Sequence, residues 1–173
     1  KKLYNLECEK VDPDSNVKID KLKINDYNIN NCINNNIKDS NSRYLLLEIK
    51  PSLRALIYQT IKLQNPLKNI IYYDGSPFVD DNNKEYRFKI LTQIQENAKE
   101  DCLIILENLN QIHPFLFDLY DKNYIIKDDK KFIRIYLEDF YEQLTQVNEN
   151  FKVIILVDRY FVNKCDLSFL NRF

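Results

Sequence analysis

Cys102-Leu103-Ile104-Ile105-Leu106-Glu107-Asn108 sets four consecutive aliphatic residues before a carboxylate and an amide. A short unbroken apolar run closed by polar residues is the form of a strand buried on both faces, because a strand with one wet face would alternate. Working outward, Lys152-Val153-Ile154-Ile155-Leu156-Val157 repeats the form ahead of Asp158-Arg159, and Tyr44-Leu45-Leu46-Leu47-Glu48-Ile49 and Asn69-Ile70-Ile71-Tyr72-Tyr73 supply two more. Between them the period changes. Leu53, Leu56, Ile57, Thr60 and Ile61 follow Pro51 at helical spacing, and Phe88, Leu91, Ile94 and Gln95 do so within Glu85–Lys99. Pro114 opens a further helix through Tyr120, Tyr124–Ile126 and Phe132–Tyr136 read as a strand pair, and Asp139–Gln146 reads as a short helix. Apolar strands alternating with helices predict an α/β three-layer sandwich, a mainly parallel sheet with helices on both faces.

Composition removes whole classes of function. The chain has 173 residues, enough for one core, with 25 basic and 26 acidic residues and a net charge of -1. It lacks the positive field of a non-specific nucleic-acid or anionic-membrane binder. A single histidine, His113, leaves almost no material for a multi-histidine metal site or a Ser-His-Asp triad. Cys8, Cys32, Cys102 and Cys165 form no Cys-x-x-Cys pair and read as reduced, structural and cytoplasmic. The longest aliphatic run, Val153 to Val157, is far below a membrane span. No methionine is present and the first residue is Lys1, so a segment of a longer polypeptide is expected.

Nine asparagines fall between Asn16 and Asn41 with no sustained period, which predicts a linker or poorly ordered arm over 1–41 and the α/β core over 42–173.

Ligands of such sheets sit at the carboxyl ends of strands, here Lys50-Pro51-Ser52, Asp74-Gly75, Glu107-Asn108 and Asp158-Arg159. A P-loop needs glycines so that backbone N–H groups can close on phosphate, and Gly75 is the one glycine in the chain. Lys50 and Ser52 therefore stand in a degenerate version of that loop, where Pro51 removes a donor. The run ending in Glu107-Asn108 has the outline of a Walker B element, with Glu107 at the magnesium-carboxylate position. Asn108 stands where a water-activating glutamate would be, and an amide cannot accept the proton. The acidic pairs Asp80-Asp81, Asp128-Asp129 and Glu138-Asp139 read as solvated turns, and His113 as a packing or capping residue.

The serial order Ser42-Arg43-Tyr44-Leu45-Leu46-Leu47, Gly75-Ser76-Pro77, Leu103 to Leu109, Leu156-Val157 and Leu170-Asn171-Arg172-Phe173 resembles an AAA+ module of the mysterin-type giant RING E3 ubiquitin ligases. That resemblance implies a dynein-like row of AAA modules, with ATP and magnesium in the parent's other modules and zinc in its RING region. It implies no cofactor for this segment, neighbouring AAA modules as its partners, and ubiquitin machinery reached only through the parent. It casts Glu107-Asn108 as a degenerate Walker B element, Asp158 as a sensor position and Arg172 as an arginine finger. The last strand and helical lid of a complete module are expected outside this chain. The function expected is a non-hydrolysing structural module. The alternatives are a divergent Mg-ATP-binding nucleotide sensor or NTPase using Lys50, Ser52 and Glu107, and a plain doubly wound interaction domain.

Overall fold

Four apolar runs form one parallel sheet: β1 (Leu45–Glu48), β2 (Asn69–Asp74), β3 (Cys102–Glu107) and β7 (Lys152–Val157), in the order β1-β7-β3-β2. This is a computed structural model, and it describes residues 29–75, 83–138 and 141–173. All six residues of β3 and all six of β7 are buried, as unbroken apolar runs require at the centre of a parallel sheet. β1 differs from the sequence expectation of a strand buried on both faces: it lies at the sheet edge, and Leu45, Leu46 and Leu47 are only half-buried.

One face of the sheet is covered by α1 (Ile29–Lys38) and α2 (Arg54–Gln64), whose Ile33, Ile57 and Ile61 meet Leu103, Ile105, Ile154 and Leu156. Here the expected arm is corrected in part. Ile29, Ile33 and Ile37 recur every fourth residue, and Ile33 is fully buried, so residues 29–38 belong to the folded body. The intervening asparagines hide that period in the sequence. Residues 1–28 of the expected arm lie outside the described residues.

The opposite face carries α3 (Lys84–Ala98), α4 (Phe117–Tyr120) and a second, antiparallel sheet of β4 (Ile125–Lys127), β5 (Lys130–Glu138) and β6 (Tyr141–Gln146). The sandwich is therefore closed on this side by a sheet as well as helices. β4 and β5 are the strand pair read from the sequence, joined by Asp128-Asp129, both with positive φ as a tight hairpin turn demands. The helix expected over Asp139–Gln146 is instead β6, paired with β5 along its length. Thr145 and Val147 alternate inward beside the buried Ile133 and Ile135, a two-residue period that one leucine at 144 disguises. Asp80-Asp81, Ser76-Pro77 and Asp139 fall outside the described residues.

The far ends of the strands are tied by lysines. Lys152 opens β7 almost wholly buried, and its ammonium donates to Asp39 O and to Ser42 Oγ (3.1 Å), pinning the α1–β1 turn beneath the sheet. Burial, with the nearby Lys122 and Lys68, holds its pKa down to about 8. Lys68 donates to Asp101 Oδ1 at 2.6 Å and to Asn150 O at 2.8 Å, joining the entries of β2, β3 and β7.

At the carboxyl ends the backbones of β2 and β3 come very close. Gly75 N–H donates to Glu107 O at 2.8 Å, and a Cβ on Gly75 would stand 2.2 Å from Asn108 O. The obstacle is backbone, which cannot step aside as a flexible side chain does. Gly75→Ala is expected to destabilise the fold by about 1–3 kcal/mol, the range of overpacking, read as a lower urea midpoint.

Candidate functional site

Side chains alternate along a strand, so Leu103, Ile105 and Glu107 of β3 all face α2. Tyr72 of β2 is in register with Ile105 and faces the same way. Glu107 is 2% exposed, and a carboxylate so placed needs partners inside the protein. It has two: the Tyr72 hydroxyl donates to Oε2, and Arg54 Nε pairs with Oε1. Burial pushes the Glu107 carboxyl above its ordinary range, while the Tyr72 hydrogen bond and the Arg54 charge pull it back. Burial and the neighbouring carboxylate raise the Tyr72 phenol. Tyr58 braces the Tyr72 ring edge-on, with centroids 5.5 Å apart.

Arg54 reaches this position because of the turn before it. Pro51–Leu53 form a single 3-10 turn in which Leu53 N–H donates to Lys50 O (2.8 Å) and Arg54 N–H to Pro51 O. Pro51 has no N–H to give. Two of the donors that a phosphate cradle would aim outward are thus spent inside the turn, and Lys50 and Ser52 stand exposed on it. Arg54 and Tyr72 were not singled out by the sequence. Their signal was present only as parity: a tyrosine two residues from the end of β2, and an arginine one residue past a proline-initiated turn.

Asn108 is a turn residue. It adopts φ 55, a conformation that asparagine tolerates, and its amide donates to Asp74 Oδ1 at 2.9 Å. Asp158 caps α5 (Arg159–Lys164), accepting from Phe161 N–H at 2.7 Å. A cavity of about 320 Å³ opens beside it, lined among others by Asn108, Asp158, Tyr160, Lys164 and Cys165. Asn108 and Asp158 share this cavity, whereas Lys50, Ser52 and Glu107 do not line it. Burial raises the Cys165 thiol, which keeps it protonated and poorly nucleophilic.

Arg172 folds back onto its own chain. It follows α6 (Leu167–Leu170), pairs with Asp121, and places its guanidinium carbon 3.9 Å from the Phe117 ring centroid. Phe169 and Phe173 close on Tyr120, with centroids 6.2 Å and 5.1 Å away. His113 sits inside this aromatic cluster, 4.8 Å from Phe169 between centroids, with Nδ1 2.9 Å from the Tyr120 hydroxyl. Burial lowers its pKa to about 4, so at neutral pH it is an uncharged packing residue.

Among the described residues no group of three potential metal-ligating side chains clusters, and no helix is long and apolar enough to cross a membrane. A family model described as the RNF213 AAA domain matches residues 34–173, which bears out the resemblance carried by the strand-end motifs. The match opens inside α1 and takes in every element after it. No curated protein matches the chain.

Two outcomes follow from the C-terminal cluster. His113 has a folded pKa below the unfolded value, so the unfolded chain binds the extra proton between pH 6.5 and about 4. Stability is full above pH 6.5 and falls as pH drops through that window, by at most roughly 3 kcal/mol. Glu107, with its raised pKa, acts in the opposite sense, so urea unfolding of His113→Gln beside the wild type isolates the histidine: the variant should lose most of the decline. Arg172→Ala should cost about 1–2 kcal/mol in the same assay at pH 7, from the lost ion pair and ring contact.

Proposed function

The chain belongs to the RNF213 AAA domain family, and on that premise we propose that it is a non-hydrolysing structural module of a larger AAA chain, packing against neighbouring modules. The observation that carries this reading is the β1–α2 turn. A phosphate cradle presents successive N–H groups around an anion, with glycines allowing the approach. Here Pro51 lacks the donor, and the Leu53 and Arg54 N–H groups are spent on Lys50 O and Pro51 O.

The residues present do not fit a magnesium nucleotide. Both oxygens of Glu107 are engaged by Tyr72 and Arg54, and Asn108 is committed to Asp74. With the cradle donors spent, Glu107 paired and an amide at Asn108, the described residues of this strand end lack the positioning, metal ligand and proton acceptor that phosphoryl transfer uses. The sheet instead supplies rigidity. The exposed Leu56, Leu63 and Leu67 on and just after α2 offer apolar surface of the kind that module faces bury.

Within this reading the parent is the ATP-driven RING ligase that the resemblance implies, with magnesium, ATP and zinc in its other parts and ubiquitin transfer outside this chain. Asp158 serves as a helix cap. Arg172 reaches a neighbour's phosphates only in a state in which it has left Asp121 and Phe117. The free thiols of Cys102 and Cys165 support a cytoplasmic setting.

Calorimetric titration with ATP and ADP, with and without magnesium, tests the proposal. No binding at millimolar nucleotide is the expected result. Micromolar binding would overturn it in favour of a nucleotide sensor, and its loss in Lys50→Ala would place the site at the β1–α2 turn.

A further inference from the structure

We propose that Arg54 is the resident cation of the β3 strand end: its guanidinium takes the place beside Glu107 that a divalent ion would need, and with Tyr72 it closes that carboxylate to metals. The inference rests on the reading of this chain as a non-hydrolysing module, and adds what stands in the cation's place.

The geometry carries it in three steps. Strand parity turns Glu107 toward α2 and buries it, so its charge must be balanced within the protein. The balancing charge comes from the first residue of α2, placed there by the 3-10 turn, and Tyr72 takes the second oxygen. The other carboxylate of this strand end, Asp74, is in register with Glu107, and its Oδ1 accepts from Asn108. Two carboxylate oxygens thus accept hydrogen bonds from the chain itself, and a third, Glu107 Oε1, is held by the Arg54 charge. A divalent ion of magnesium's size needs oxygen lone pairs at about 2.1 Å and keeps several waters, neither of which a guanidinium packed on Oε1 permits. An arginine suits the role better than a lysine, being permanently charged, planar and weakly hydrated. The Arg54 side chain is 29% exposed against 1% for Glu107, so the plug lies between the carboxylate and solvent.

The test is an EPR titration with Mn2+ in nucleotide-free buffer on the wild type, Arg54→Gln and Arg54→Gln/Glu107→Gln. The wild type should take up no Mn2+ at millimolar concentration, Arg54→Gln should bind it stoichiometrically, and the double variant should lose it again. Uptake by the wild type, or none by a folded Arg54→Gln, would overturn the proposal. Should Arg54→Gln fail to fold, the double variant decides. With the unbalanced buried charge gone it should fold and unfold at higher urea than the single variant, and a double variant no more stable than the single would sink the idea. Because these titrations hold no nucleotide, ATP binding by the wild type would overturn the non-hydrolysing reading without touching the Mn2+ result.

Discussion

A parallel strand pair with no residue in water can exist only if both of its faces are covered, and β3 with β7 imposes that condition on every other element. Each fully buried aliphatic side chain contributes about 1.5–3 kcal/mol relative to exposure, so leaving either face wet would forfeit much of the core. α1 and α2 seal one side, and α3, α4 and the antiparallel sheet seal the other. The edge strands β1 and β2 complete the hydrogen-bond ladders while accepting partial exposure.

The same constraint creates the chemistry at the strand end. A strand buried on both faces that finishes in a carboxylate delivers that charge into the protein unless the last residue turns out to solvent. Glu107 points under α2, and the fold answers with Arg54 and Tyr72. Gly75 allows the backbones of β2 and β3 to converge there, and Asn108 accepts the left-handed turn that follows. The residues that look like nucleotide machinery in sequence are thus occupied with holding the sheet end together. At the far C-terminus Arg172 is held in the same manner, by Asp121, Phe117 and the aromatic cluster around His113.

The unbroken apolar runs and the helical period made most of the parallel sheet and α3 legible, because burial writes itself directly into such patterns. Legibility failed where that writing was diluted. α1 carries its three isoleucines among asparagines, whose low helix propensity suggests an arm, yet tertiary contact with α2 and the sheet overrides the local preference. β6 has few apolar residues, and its identity comes from the open edge of β5, a partner that no local window contains.

The sequence by itself determined the α/β class, the four parallel strands, the absence of a glycine-rich phosphate loop, and the order of strand-end motifs that marks the family. Those features are local, being set by side-chain period, by a missing residue type, or by serial order. Only the tertiary structure decided that Glu107 is paired with Arg54 and Tyr72, that Asn108 serves Asp74, that Asp158 is a cap, and that Arg172 is folded inward. Apart from the Asp158 cap, each of these four contacts joins residues 34 or more positions apart, and which groups meet depends on how the elements pack around the sheet. A carboxylate's role is set by the charges around it, and those neighbours exist only once the chain has folded.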